Sequence, residues 1–240
     1  MLQTTQALFG TKLAALDGEI GRVKDFYFDD QTWAIRYVVA DTGSWLDDRL
    51  VLLSPHAFSR LRAEHGVLPV KLRKAQVEGS PSIEAHKPVS RQFEIEYHHY
   101  YGWPAYWNDG ATCGLGGEAV TRPPDLEKLE VERRHRPDDR HLQSVLAVTG
   151  FHLQARDGIA GRVTGFLVDE KSWLIRELAV ETGPWYAGKE ILIPTHLIGR
   201  IGCEASTVFV ELAKADLLHT AAHGIVNAES ELRKVVNFTD

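Results

Sequence analysis

The chain of 240 residues is 44% hydrophobic and 25% charged, the composition of an ordinary soluble globular protein long enough for one or two domains. A net charge of -6 offers no broad positive field to phosphate backbones, and the two cysteines, Cys113 and Cys203, form neither a disulfide framework nor a metal-ligand spacing. The amino-terminal segment has no basic stretch followed by a long apolar run, and no window approaches the roughly 18 apolar residues that cross a bilayer, so a cytoplasmic protein without an integral membrane segment is expected.

The first elements predict a small β-rich unit. Leu13 to Ala15 lead into the turn Asp17-Gly18, a favoured hairpin connection. Val23 to Phe28 read as a strand, but Val23 is out of phase with Phe26 and Phe28 for a period of two. A bulge near Lys24-Asp25 restores the alternation. The polar loop from Asp29 to Thr32 starts with an Asp able to bond to its own backbone two residues on. Residues 33–41 form a nearly continuous apolar run expected to be central and buried. Thr42-Gly43 break the chain before Trp45. Another strand follows over 50–55, then a turn at 55–58, two more strands, and a short helix from Lys74 to Val77.

This unit recurs. Asp157 follows Asp17 by 140 residues, and the two stretches align without a gap. Identical pairs are Asp17/Asp157, Gly21/Gly161, Arg22/Arg162, Val23/Val163, Phe26/Phe166, Asp29/Asp169, Trp33/Trp173, Arg36/Arg176, Thr42/Thr182, Gly43/Gly183, Trp45/Trp185 and His56/His196. The match extends from Leu2-Gln3 with Leu142-Gln143 to residues 68–75 with 208–215. It predicts units over 1–78 and 142–220, an aromatic insert and charged linker over 79–141, and a helical tail over 221–240. The fold class is all-β: two small antiparallel barrels with short helices in the linker and tail.

The pattern G-x-x-G-R-V, then F-x-x-D, a polar loop with Trp, I-R, and T-G-x-W before a V-L-L/I-L-I-P run resembles the PRC-barrel domain. The resemblance covers both units. It implies a six-stranded antiparallel barrel of the kind shared by the cytoplasmic part of the photosynthetic reaction centre H subunit and by ribosome maturation factors. Bacterial proteins with two such barrels and a Tyr-rich insert are similar. The resemblance implies a structural, protein-contacting module with no family catalytic residues, and peripheral partnership with a photosynthetic membrane complex or with ribosome assembly as alternatives.

In the insert, Ser90 is placed to cap a helix over 91–101 that ends at Gly102 and Pro104. Phe93, Tyr97 and Tyr101 form one stripe, with His98, Tyr100, Trp103, Tyr106 and Trp107 close by, and so many aromatics are expected to be covered. Phe93, Tyr97, Tyr100, Tyr101, Trp103, Tyr106 and Trp107 are therefore the candidate interface, and a homodimer with a further protein partner is expected. The tail carries a second amphipathic stretch over 228–236.

Sites for chemistry are weak by comparison. Adjacent His98 and His99 point about 100° apart on a helix and do not converge on one ion. His219 and His223 stand at i, i+4 but have no third ligand at motif spacing. His56 and His196 suit turn capping better than catalysis. Arg22, Arg162, Arg36 and Arg176 suit ion pairs with Asp29 and Asp169 better than phosphate binding. Trp33, Trp45, Trp173 and Trp185 suit core and inter-barrel packing, a ligand slot at the barrel ends being the alternative. Arg133, Arg134 and Arg136 lie among acidic residues, so direct nucleic-acid contact is not expected. Cys113 in a Gly-rich loop is a weak nucleophile. No catalytic residue, cofactor or metal is assigned. The expected role is a non-enzymatic interaction or scaffold protein that self-associates, the alternative being a small-ligand or anion-binding module.

Overall fold

A computed structural model describes residues 1–63, 66–80, 91–103, 141–184 and 188–217, and for residues 91–93, 95 and 96 the backbone alone. Two sheets with a few short helices make up the described residues. The first unit contains β1 (Leu2–Thr4), α1 (Thr5–Leu8), β2 (Lys12–Ala15), β3 (Gly18–Asp29), β4 (Ile35–Asp41), β5 (Leu50–Leu53), β6 (Val67–Pro69) and α2 (Lys74–Glu78). After α3 (Arg91–Tyr101) the order returns as β7 (Leu142–Ser144), α4 (Val145–Val148), β8 (His152–Ala155), β9 (Gly158–Asp169), β10 (Ile175–Thr182), β11 (Glu190–Pro194), β12 (Ile198–Gly202) and β13 (Thr207–Val210).

The expected alternation is visible in β3. Ile20, Phe26 and Phe28 are fully buried, and Lys24 drops out of the ladder between Val23 and Asp25, which switches the phase. Thr164 drops out of β9 in the same way. Gly21 follows from a close approach. It sits at φ 134°, and a Cβ there would lie 2.1 Å from the Asp41 carbonyl oxygen on β4; at Gly161 a Cβ would lie 2.3 Å from the Glu181 oxygen. The Asp29 loop is closed as its sequence predicts, Asp29 Oδ1 accepting from Gln31 N at 3.0 Å and Thr32 N at 2.8 Å. Asp169 accepts from Lys171 and Ser172 at the same distances.

Two expectations need correction. The sheets do not close into barrels, and they are not purely antiparallel, because β2 pairs with β6 and β8 with β13 in parallel. In the first unit the strand expected after residue 57 is reduced to a bridge between Phe58 and Val70. The cause is a competing contact: Leu61 N donates to Glu170 O at 2.9 Å, and the Phe58 ring packs 5.2 Å from Trp173, which draws this segment toward the second unit. The matching segment of the second unit, free of that contact, forms β12 on β13.

The leading strands are exchanged. β1 pairs not with its own unit but with β9, Leu2 opposite Asp169 and Thr4 opposite Leu167. β7 pairs with β3, Leu142 opposite Asp29 and Ser144 opposite Tyr27. The long strands β3 and β9 extend past β2 and β8, so each has a free edge at its far end for the other unit's strand. Paired bonds continue the exchange: Asp30 N to His141 O at 2.9 Å with Glu170 N to Met1 O at 3.0 Å, and Ile35 N to Trp173 O at 2.9 Å with Ile175 N to Trp33 O at 2.8 Å. Phe28 meets Phe166 at 5.5 Å, and a single buried cluster runs through both units.

One side of the exchange is anchored by a buried carboxyl. Asp25 accepts from Phe26 N at 2.7 Å, from Leu146 N at 3.0 Å and from the Ser144 hydroxyl, so it holds the start of α4. The matching residue is Gly165, where a Cβ would collide with the Gln6 side chain, which instead donates to Thr164 O. Burial pushes the Asp25 carboxyl above its ordinary 3.8 against these three bonds. The folded state therefore holds the proton more tightly than the unfolded chain, and this group's contribution to stability is lost as pH rises from 3.8 through the folded value. Urea unfolding across a pH series is expected to show Asp25→Asn gaining on the wild type as pH rises. Asp25→Ala, which strands two amide donors, is expected to cost about 1–3 kcal/mol. Gly21→Ala is expected to cost at least about 2 kcal/mol by the same measurement, since the strand pair must part to admit a methyl group.

Candidate functional site

The aromatic helix packs against its own chain. Tyr37 and Val39 of β4 and Leu52 of β5 point to the outer face of the first sheet, where they form a second small core with Tyr97 of α3. Tyr97 is fully buried and its hydroxyl donates to Leu52 O. Helix α3 ends where its sequence predicts. Gly102, at φ 68°, lets its own N–H reach His99 O and that of Trp103 reach His98 O, at 3.3 and 2.9 Å. The turn folds Trp103 back to stack on Tyr101, 4.3 Å between centroids. The Tyr100 and Tyr101 hydroxyls both donate to Gln76 O of α2. Burial drives the Tyr97 phenol well above its ordinary value and pushes that of Tyr101 up to about 12, so both act as neutral donors. Of the candidate interface, Tyr100 keeps the most exposure, 43%. The Phe93 side chain, Tyr106 and Trp107 lie outside the described residues.

A polar cluster holds this helix. The buried Tyr37 hydroxyl lies 2.9 Å from Glu94 Oε1 and 3.0 Å from His98 Nε2. A hydroxyl has one proton; given to Glu94, it leaves the Tyr37 oxygen to accept from a protonated His98 Nε2. His98 is thereby committed to the sheet, while His99 is exposed. On the second sheet the positions of Tyr37 and Val39 are taken by Glu177 and Ala179, which offer no aromatic platform.

The repeated residues mostly serve the fold. Arg36 pairs with Asp29 at 3.4 Å, as expected, while Arg22 donates to Gly10 O at 3.0 Å. Trp33 and Trp173 both adopt a left-handed backbone, near φ 59° and 58°, after their Asp-led loops. Trp33 stacks on Phe28, and Trp173 is nearly buried. Arg162 and Arg176 are exposed. His56 sits 6.3 Å from the Trp103 ring, and its N–H is received by Ser54 Oγ. Trp185, Cys113, His219 and His223 lie outside the described residues. Cys203 is a free thiol at 2.8 Å from Gln143 Oε1. Among the described residues no three His, Cys, Asp or Glu side chains converge as a metal would require, and no helix is long and apolar enough to cross a membrane.

A cleft of about 890 Å³ opens at the end of the first sheet. Its walls are β3 from Gly21 to Lys24, the turn from Asp41 to Trp45, Phe9-Gly10, Lys74 of α2 and, from the second unit, Leu146 of α4. Trp45 is fixed by its indole N–H on Ile20 O at 3.0 Å and lies under the Lys74 ammonium, 4.9 Å from the ring centroid. Lys74 is itself located by its backbone N–H on Asp17 Oδ1 at 2.8 Å. The sequence pointed to Arg22 and Trp45; it did not point to Phe9, Lys24, Lys74 or Leu146. The missed signal is non-repetition, since Phe9, Lys24 and Leu146 match Thr149, Thr164 and Gln6.

The Tyr37 cluster makes a direct prediction. Tyr37→Phe removes one hydrogen-bond partner from each of two buried polar groups and is expected to destabilise the protein by about 1–3 kcal/mol. Hydrogen exchange is expected to show the loss of protection concentrated in α3, with β9 and β10 unchanged.

None of the curated proteins compared with this chain matches it. The family comparison is positive for part of it: residues 8–77, from the last residue of α1 into α2, match the model of the PRC-barrel domain, and a PRC-barrel domain is present there.

Proposed function

We propose that this chain is a non-enzymatic, cytoplasmic protein-interaction scaffold made of two PRC-type units, the second over residues 142–220, and that it self-associates as a homodimer. The observation that carries the reading is the reciprocal exchange of β1–α1 and β7–α4. It joins both units through one apolar cluster, giving a two-lobed platform whose halves hold a set geometry. The repeat supports a second unit of the same type: strands fall at the same spacing, and the Asp-led loop and the glycine close approach recur. The groups that sequence would first offer for chemistry, Asp29, Arg36 and Trp45, are spent on loop closure, ion pairing and anchoring.

A small-ligand role is the second reading, favoured by the cleft that brings Arg22 and Trp45 together. Light scattering after size exclusion, at tens of micromolar, is expected to give twice the chain mass; a monomer there removes the self-association from the reading. Thermal-shift screening with small anions is expected to leave the unfolding midpoint unchanged, and a saturable rise would favour the second reading instead.

A further inference from the structure

We infer that the cleft at the end of the first sheet is a docking site for an acidic peptide segment of a partner protein that carries a bulky apolar side chain. The inference rests on the interaction-protein reading and names the partner's chemistry. Its first support is the cleft's composition. Phe9 and Trp45 are half-buried, and beside them Leu146 is 52% exposed. An apolar floor left open in this way suits a buried anchor side chain.

The second support is charge. Arg22, Lys24 and Lys74 line the cleft together with Glu19, Asp41 and Asp48. Glu19 is taken by Lys12 at 3.0 Å, and Asp41 Oδ1 accepts from Gly43 N at 3.1 Å. Lys24 and Lys74 have no carboxylate within ion-pair distance among the described residues, and Lys74 rests on Trp45. With Glu19 paired to Lys12, three cations stand against Asp41 and Asp48, so the wall keeps a small cationic surplus beside an aromatic ring, which complements acidic residues flanking an apolar one.

The third support is divergence between the units. Gly21, Arg22, Thr42, Gly43 and Lys74 recur as Gly161, Arg162, Thr182, Gly183 and Lys214. Phe9, Lys24 and Leu146, which supply the floor and one cation, do not recur. The matching cavity of the second unit, lined by His152, Ile159 and Arg162 among others, measures about 320 Å³ among the described residues. Leu146 also arrives on the exchanged helix α4, so the site is complete only when both units are joined.

The test uses the full chain and fluorescence anisotropy with a dye-labelled peptide of acidic residues around a central Phe, beside a basic peptide with the same centre. The acidic peptide is expected to bind saturably with a Kd of about 100 µM or tighter, and the basic one at least about tenfold more weakly. Lys24→Glu and Leu146→Ser are each expected to weaken binding about tenfold, and Lys214→Glu in the second unit to leave it unchanged. Both substituted side chains lie at the surface, and an unaltered unfolding midpoint certifies each fold. Absence of saturable binding, equal binding of the two peptides, or an equal loss with Lys214→Glu overturns the assignment. Light scattering on the same samples separates the two readings: a dimer that ignores the peptide rejects the cleft and keeps the scaffold, whereas a monomer rejects self-association whatever the peptide does.

Discussion

The exchange of leading strands is the constraint on which the rest of the molecule depends. A three-residue strand followed by a four-residue helix has no stability of its own, since so short a helix does not repay its nucleation. Each pair becomes ordered because the far end of the other unit's long strand supplies a free edge, and because Leu8 and Val148 reach the common core. The hydrogen bonds of the exchange are local, but the apolar burial they permit is shared. Phe28 and Phe166 touch across the junction, and Trp173 is covered by Phe58. This is also why residues 58–62 form no strand to match β12: their contacts are made with the neighbouring unit.

The two sides of the exchange use different chemistry at one position. Asp25 satisfies the amides at the start of α4, while Gly165 makes room for Gln6. A buried carboxyl is costly unless its bonds are complete, and Asp25 has three, whereas the glycine side avoids the cost by carrying no polar group. Such differences at matched positions accumulate around the first unit. Its outer face has Tyr37 and Val39 in place of Glu177 and Ala179, and there it accepts α3 with its buried Glu94 and His98. Its end cleft has Phe9, Lys24 and Leu146 in place of polar residues.

Much of the individual unit was legible in the residues. The bulge at Lys24 followed from a broken alternation, the Asp29 loop from the reach of an Asp side chain, and the end of α3 from Gly102. These are local relations, in which a residue's neighbours along the chain are also its physical partners. The residues matched by the PRC-barrel model overlap the stretch where such local signals are densest.

The pairing of units was not legible in this way. Leu2 and Leu142 occupy equivalent positions, so each could pair equally well with its own long strand or with the other; periodicity and spacing are the same for both. Only the tertiary arrangement distinguishes them, through contacts between residues far apart in sequence such as Phe28 with Phe166 and Asp25 with Leu146. The cleft is hidden for the same reason, being assembled from side chains that are distant in sequence and unremarkable one by one. By itself the sequence determined a β-rich chain and an aromatic helix expected to be covered. Which strand completes which sheet, and what surface results, depends on burial shared between the units, and shared burial is a property of no single segment.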